Sequence, residues 1–272
     1  MQGRLSPLVD DRIQAFPWDN WQREIGVASQ LGFRVMEWTI DQERLYENPL
    51  LTASGQAEIL DLCRGCGVSI PSLTGDCFMQ APFWKAGSEE RRSLEEDFLA
   101  VGEACAAVGI SMIVVPLVDN GRVENPAQED ALVDFLERHA AFLASHGLRV
   151  VFESDRDPEA LAGFIARLDP SQFGINYDIG NSAALGFDPR LEIGAYGDRI
   201  LNVHVKDRLR GGPTVPLGEG HADFDTTFSA LRLADYGGYY ILQTARAVDD
   251  DHARVLCRYR DMTADWVSRA YD

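Results

Sequence analysis

The sequence predicts an α/β fold, a single (β/α)8 barrel, and three observations carry that prediction. Short apolar runs alternate with amphipathic stretches eight times along 272 residues, a length suited to one such barrel. Four of the runs end on polar side chains: Glu153 in RVVFESD, Asp178 in FGINYDIGN, His204 in LNVHVKD and Gln243 in YYILQTAR. These positions follow one another by 25, 26 and 39 residues, each step close to the ~31 residues of one βα unit. A doubly wound sheet would show the same alternation. Eight units, with polar groups after several different strands, favour closure into a barrel. No linker, repeat or low-complexity segment interrupts the pattern, so residues 1–272 are expected to form one domain.

Taken in order, Met1 to Leu5 reads as a very short first strand. A helix opening at Pro17-Trp18-Asp19 follows, with Trp21, Ile25, Ala28 and Leu31 on one face and Gly32 as its stop. Arg34 to Trp38 is the second strand. Thr52 to Gly67 is helical with Ser54 as N-cap, and Val68 to Leu73 is the third strand, ahead of an aromatic loop, GDCFMQAPFW. Ser88 to Gly109 opens with Ser-Glu-Glu, acidic residues that suit the positive end of a helix dipole. Ile110 to Val118 is strand four, and Pro126 to Gly147 a helix with proline in its first turn. Strands five to eight fall at Arg149 to Glu153, Phe173 to Tyr177, Ile200 to His204 and Tyr239 to Gln243. Helices at Pro158 to Leu168, Pro189 to Tyr196, Asp225 to Tyr236 and Asp249 to Tyr271 follow them.

Composition narrows the function. A formal charge of −18 and a pI near 4.6 argue against nucleic acid as a partner, because phosphate backbones call for clustered Lys and Arg. A small anionic substrate stays compatible, since only the local field of a pocket acts on it. No apolar run reaches the ~18 residues of a membrane span, and the five cysteines form no regular framework. The expectation is therefore a soluble cytoplasmic protein with reduced thiols. Cys63 and Cys66 make a C-x-x-C inside a helical stretch with no second pair, which favours packing over metal or redox work.

The four strand ends have a chemical logic. A carboxylate at the lip of a buried strand is costly unless a charge meets it. Glu153, Asp178, His204 and the Gln243 amide oxygen, on neighbouring staves, form an oxygen-rich donor set with one imidazole. That set suits one divalent ion: Mn, Mg or Co, with Zn compatible.

These segments resemble the xylose isomerase-like TIM barrel superfamily, which includes sugar phosphate isomerases and epimerases, ketose 3-epimerases and the endonuclease IV branch. VVFESD, INYDIGN, VHVKDR and ILQTAR carry the resemblance, which covers essentially the whole chain. It implies a metal-dependent isomerase or epimerase acting on a sugar or sugar phosphate, with Glu153, Asp178 and His204 as ligands and Glu153 as base. It also brings the homo-oligomers found among relatives. In epimerases of that group a second glutamate ends the last strand, and the two exchange a proton beside the substrate carbonyl. Here that position is Gln243, whose amide can coordinate but not titrate near neutral pH.

A second acid must then come from elsewhere, and Glu37, Lys206, Asp207 and His221 are the candidates, with Lys206 and His221 put forward as catalytic. Arg4, Lys206, Arg208 and Arg246, at or just past predicted strand ends, offer cations for a phosphate or carboxylate. Asn181 offers a hydrogen bond to a hydroxyl, and Glu37 is placed with this substrate-binding set. Two other readings stay open: a non-catalytic sugar-binding barrel, motivated by Gln243, and an endonuclease IV-like phosphodiesterase, which the acidic charge opposes.

Overall fold

The computed structural model describes residues 1–9 and 12–271. Seven parallel staves are β1 (Val35–Ile40), β2 (Ser69–Gly75), β3 (Met112–Leu117), β4 (Arg149–Ser154), β5 (Phe173–Asp178), β6 (Ile200–Val205) and β9 (Tyr239–Leu242). They pair in the order β1-β2-β3-β4-β5-β6-β9. The expected first strand is reduced to one rung. Gln2 bridges Glu37 in parallel, the Glu37 amide donates to the Met1 carbonyl at 2.8 Å, and the Gln2 amide donates to the Leu242 carbonyl at 3.1 Å. That rung joins the two sheet edges and completes an eight-stave α/β barrel. It ends at Gly3, whose φ of +43° turns the chain out of extended geometry.

Helices α1 (Trp21–Gln30), α2 (Ala53–Cys66), α3 (Asp76–Gln80), α4 (Ser88–Val108), α5 (Pro126–Arg138) and α6 (Ala140–Ser145) belong to the first half. The second half carries α7 (Pro158–Ile165), α8 (Ile179–Leu185), α9 (Pro189–Tyr196), α10 (Phe224–Leu233) and α11 (His252–Tyr271). The single helix expected over 126–147 breaks at His139 into α5 and α6. The cap of α2 is Thr52, whose hydroxyl accepts from the Gly55 amide, rather than Ser54. Two short helices lie where loops were expected: α3 inside GDCFMQAPFW and α8 directly after β5. One-turn and two-turn helices are too short for a 3.6-residue period to show. The loop after β6 folds back as a hairpin of β7 (Asp207–Arg208) and β8 (Thr214–Val215).

Alternation along each stave sorts side chains between two cores. Outward-facing Ile113, Val115, Val150, Phe152, Ile175 and Val203 are buried beneath the helices, each contributing about 1.5–3 kcal/mol. Phe83, Phe98 and Phe135 pack edge-on or tilted in that layer, with Phe83 and Phe135 ring centroids 4.4 Å apart. Trp38 belongs there too, its indole N–H donating to Asn48 at 3.2 Å. Inside the barrel, Met112, Val114 and Val151 form a small apolar group. Glu37, Ser72, Thr74, Asn176, Asn202 and His204 make a hydrogen-bonded polar layer. Cys63 and Cys66 lie half-buried on α2 with free thiols. Among the described residues no helix is long and apolar enough to cross a membrane.

Candidate metal centre and the cavity above it

Three carboxylate and imidazole groups meet where β4, β5 and β6 end. Ligand atoms of Glu153, Asp178 and His204 all lie within 4.8 Å of one another, and all three side chains are buried. Register brings them together: β5 and β6 pair Asp178 directly with His204. Asp178 is also the N-cap of α8. Its Oδ1 accepts from the Asn181 amide at 2.9 Å, so its Oδ2 is held toward His204 Nδ1, 3.9 Å away. The helix that the sequence did not show is thus what orients this carboxylate.

Glu153 is fixed by two amides. Asn181 Nδ2 donates to Oε1 at 2.6 Å and Asn176 Nδ2 to Oε2 at 3.0 Å. His204 is fully enclosed, with Nδ1 3.2 Å from Glu153 Oε2 and Nε2 2.8 Å from Glu37 Oε1. Without a metal both ring nitrogens carry protons; displacement of the Nδ1 proton by a cation, with Nε2 still donating to Glu37, would leave the Nδ1 lone pair facing Glu153 and Asp178, the arrangement a metal-ligating histidine requires. Burial pulls His204 down, but the charges and hydrogen bonds of Glu37 and Glu153 outweigh it and push the imidazole up to about 10. Burial likewise raises Glu37, and His204 with the Thr74 and Ser72 hydroxyls more than offsets it, holding that carboxyl at about 2.

Gln243 follows β9 and is buried. Its Oε1 has no hydrogen-bond partner among the described residues. A buried acceptor without a donor is costly, and it lines the same cavity as Glu153. Two carboxylates, one imidazole nitrogen and an unpartnered amide oxygen fit a divalent cation.

Over this cluster opens a cavity of about 550 Å³, lined by Thr74, Asp76, Glu153, Asn181, Lys206, Arg208 and Gln243 among others. Lys206 Nζ lies 2.6 Å from Asp178 Oδ2. Arg208 donates to Asn181 Oδ1 at 2.8 Å and to the Gly212 carbonyl through both remaining nitrogens. Of the expected substrate-side residues, Asn181, Lys206 and Arg208 line the cavity.

The others sit elsewhere. Glu37 is enclosed in the polar layer, accepting from Ser72, Thr74, Asn202 and His204. Arg4 donates to the carbonyls of Thr244 and Ile13, both at 3.0 Å, and burial, then the nearby Arg246 charge, lowers its guanidinium to about 9. Arg246 donates to the carbonyls of Gly3, Ser6 and Ile13. His221 is exposed, its Nδ1 accepting from the Arg210 amide at 3.1 Å. Asp207 accepts from the amides of Gly218, Gly220 and Ala222 and so shapes the loop.

Sequence reasoning missed Asp76. It follows β2 as the first residue of α3, is buried and lines the cavity. The signal was present: the strand SIPSLTG leads directly into a carboxylate, Asp76. Ending the third strand at Leu73, two residues short of its true end at Gly75, hid it.

Comparison with known proteins agrees with this architecture. The chain is 25% identical over 259 residues to L-ribulose-5-phosphate 3-epimerase UlaE of Salmonella heidelberg, covering 89% of this chain and 88% of that protein. The D-allulose 3-epimerase of Methylomonas sp. superposes with a TM-score of 0.75 at 16% identity, covering 93% of each chain. The IolI protein, whose structure holds a zinc atom, superposes at 0.77 and 16% identity, covering 92% of this chain and 94% of that one. At such identities the two structures speak for the fold alone. The family model of the xylose isomerase-like TIM barrel matches residues 25–258, and the chain belongs to that family.

Proposed function

We propose that this protein is a divalent-metal-dependent isomerase or epimerase of sugars or sugar phosphates, with Glu153 as the base that removes the proton beside the substrate carbonyl. The observation that carries the reading is the convergence of Glu153, Asp178 and His204 within 4.8 Å; the unpartnered Gln243 oxygen in the cavity that Glu153 also lines supports it. Glu153, Asp178, His204 and Gln243 would hold the ion, and Mn, Mg, Co or Zn each suits the set. Bound there, the ion supplies Lewis acidity that polarises the carbonyl. Zinc in the IolI structure and the epimerase names of the relatives support the same reading.

The protein's own groups do the rest. Asn176 and Asn181 fix the Glu153 carboxylate from both oxygens, so it meets the substrate pre-oriented. Lys206, at the cavity wall 2.6 Å from Asp178, is placed to donate to a substrate oxygen. Arg208 and Asn181, joined at 2.8 Å, present polar groups to hydroxyls or a phosphate. Proton removal leaves an enediolate, whose charge these donors stabilise.

The test is metal analysis together with solvent-deuterium exchange beside the carbonyl, across free ketoses and ketose phosphates. Wild type should bind one divalent ion and exchange that proton. Glu153→Gln should lower exchange by about 10²- to 10⁴-fold, and Asp178→Asn should lower metal affinity at least as much as exchange. Unchanged metal content and turnover in both variants would sink the assignment. One observation favours a second reading, a sugar-binding protein without turnover: Gln243 stands where a titrating group would serve inversion. Tight sugar binding with no exchange, in wild type and in Gln243→Glu alike, would select it.

A further inference from the structure

Inverting a carbon beside a carbonyl needs a proton-exchanging group on each face, and the amide of Gln243 cannot be one of them. Most other candidates are committed. Glu37 is held by four donors beneath His204, Asp207 by three loop amides, and His221 is exposed beside Arg210. Lys206 is engaged with Asp178 on the metal side.

Asp76 differs from all of these. Thr74, two residues earlier, points into the barrel at Glu37 Oε1, 2.6 Å away, and Asp76 stands just past the end of β2, as the first residue of α3, one step further toward the mouth. There it shares the cavity with Glu153 and Gln243. The turn that aims it depends on Gly75, where a Cβ would come within 2.4 Å of the Phe78 ring and 3.1 Å of the Val114 carbonyl. A relay fixes the carboxyl from behind. Arg4, anchored on the carbonyl of Thr244 next to Gln243, reaches Gln14 Oε1 at 3.5 Å, and Gln14 Nε2 donates to Asp76 Oδ2 at 2.6 Å.

We propose that Asp76 is the second acid/base group of this site, exchanging a proton with the substrate carbon on the face turned away from Glu153 and so making the reaction an epimerisation. The inference rests on the function proposed above. In the forward direction the Glu153 carboxylate breaks the C–H bond and keeps the proton, while the electron pair moves toward the carbonyl oxygen. The Asp76 carboxylic acid then forms the new C–H bond on the opposite face as the electrons return. Glu153 ends protonated and Asp76 ionised, and exchange with water or the reverse turnover resets both. Beside this placement, the metal-free protein holds Asp76 high: burial raises it, the Gln14 hydrogen bond lowers it, and Asp41 and Glu153 raise it again, to about 7. A group that gains and loses its proton near neutral pH is the one general acid–base chemistry needs.

The experiment follows the proton beside the carbonyl in D₂O by NMR, using L-ribulose 5-phosphate, other ketopentose phosphates and free ketohexoses, and scores exchange and inversion separately. Wild type should do both. Asp76→Asn should keep exchange within about 10-fold, because Glu153 is intact, and lose inversion by about 100-fold or more. Adding Gln243→Glu to that variant, or formate to Asp76→Ala, should restore inversion. Inversion by Asp76→Asn at the wild-type rate overturns the inference. Equal loss of exchange and inversion, rescued by neither route, also overturns it and leaves Asp76 a structural part. Absence of exchange in wild type on every sugar withdraws the proposed function and this inference together.

Discussion

The second half of the barrel rim ends its staves on Glu153, Asp178, His204 and Gln243; ligand atoms of the first three lie within 4.8 Å of one another, and the Gln243 oxygen stands unpartnered in the cavity that Glu153 also lines. The first half spends its polar groups inward or backward. Glu37 props His204 from below at 2.8 Å, and Arg4 ties the loop after the first rung to the Thr244 and Ile13 carbonyls at 3.0 Å each. Arg246, just past the last stave, joins this task by holding the Gly3 and Ser6 carbonyls. The difference arises from how the barrel closes. A one-residue rung at Gln2 supplies few ladder hydrogen bonds, and arginine side chains supply the rest. One half of the rim thus gathers its polar groups at one site while the other half holds the seam, and Asp76 is the exception on the holding side.

Three measurements break or sharpen that contrast. The largest effect concerns Asp76 in metal-free protein. Its folded value of about 7 lies above the ordinary 3.8, so as pH rises the unfolded chain releases this proton first. Stability therefore falls between about pH 4 and pH 7 and levels off above, by at most about 4 kcal/mol. Asp76→Asn should remove that part of the slope and be the more stable protein at pH 8. Urea midpoints at pH 5 and pH 8 read it, and a variant weaker than wild type at pH 8 would return Asp76 to the holding group. Next, Arg246→Ala should cost about 2 kcal/mol in urea unfolding, because seam carbonyls lose a charged donor, while metal affinity stays unchanged. A fall in metal affinity without a fall in stability would place Arg246 with the binding half instead. The smallest effect is that of Glu37→Gln, which should weaken metal binding about 10-fold by loosening the hold on His204 Nε2. Titration by calorimetry reads it, and unaltered affinity would deny the two halves this link.

Much of this was legible in the sequence. The period of the apolar runs located seven of eight staves to within two residues or so, and the spacing of 153, 178, 204 and 243 put four polar ends on neighbouring staves. The arginines were harder. A cation after a strand end looks alike whether it meets a phosphate or a backbone carbonyl, and only closure of the chain brings Gly3, Ser6 and Ile13 to Arg246 across more than 230 residues. Glu37 was legible as a polar end, but its direction depends on the polar layer supplied by β2 and β6. Asp76 was hidden by a strand boundary, the least secure feature of any reading from periodicity.

By itself the sequence determined the order of the elements and the residue types offered at the rim, because burial period and strand-end chemistry are local properties of the chain. Tertiary structure decided which of those side chains share space. Hydrogen-bond partners such as Glu37 with His204, or Gln14 with Asp76, lie 167 and 62 residues apart. Their meeting depends on barrel curvature and stave register, which no local pattern records.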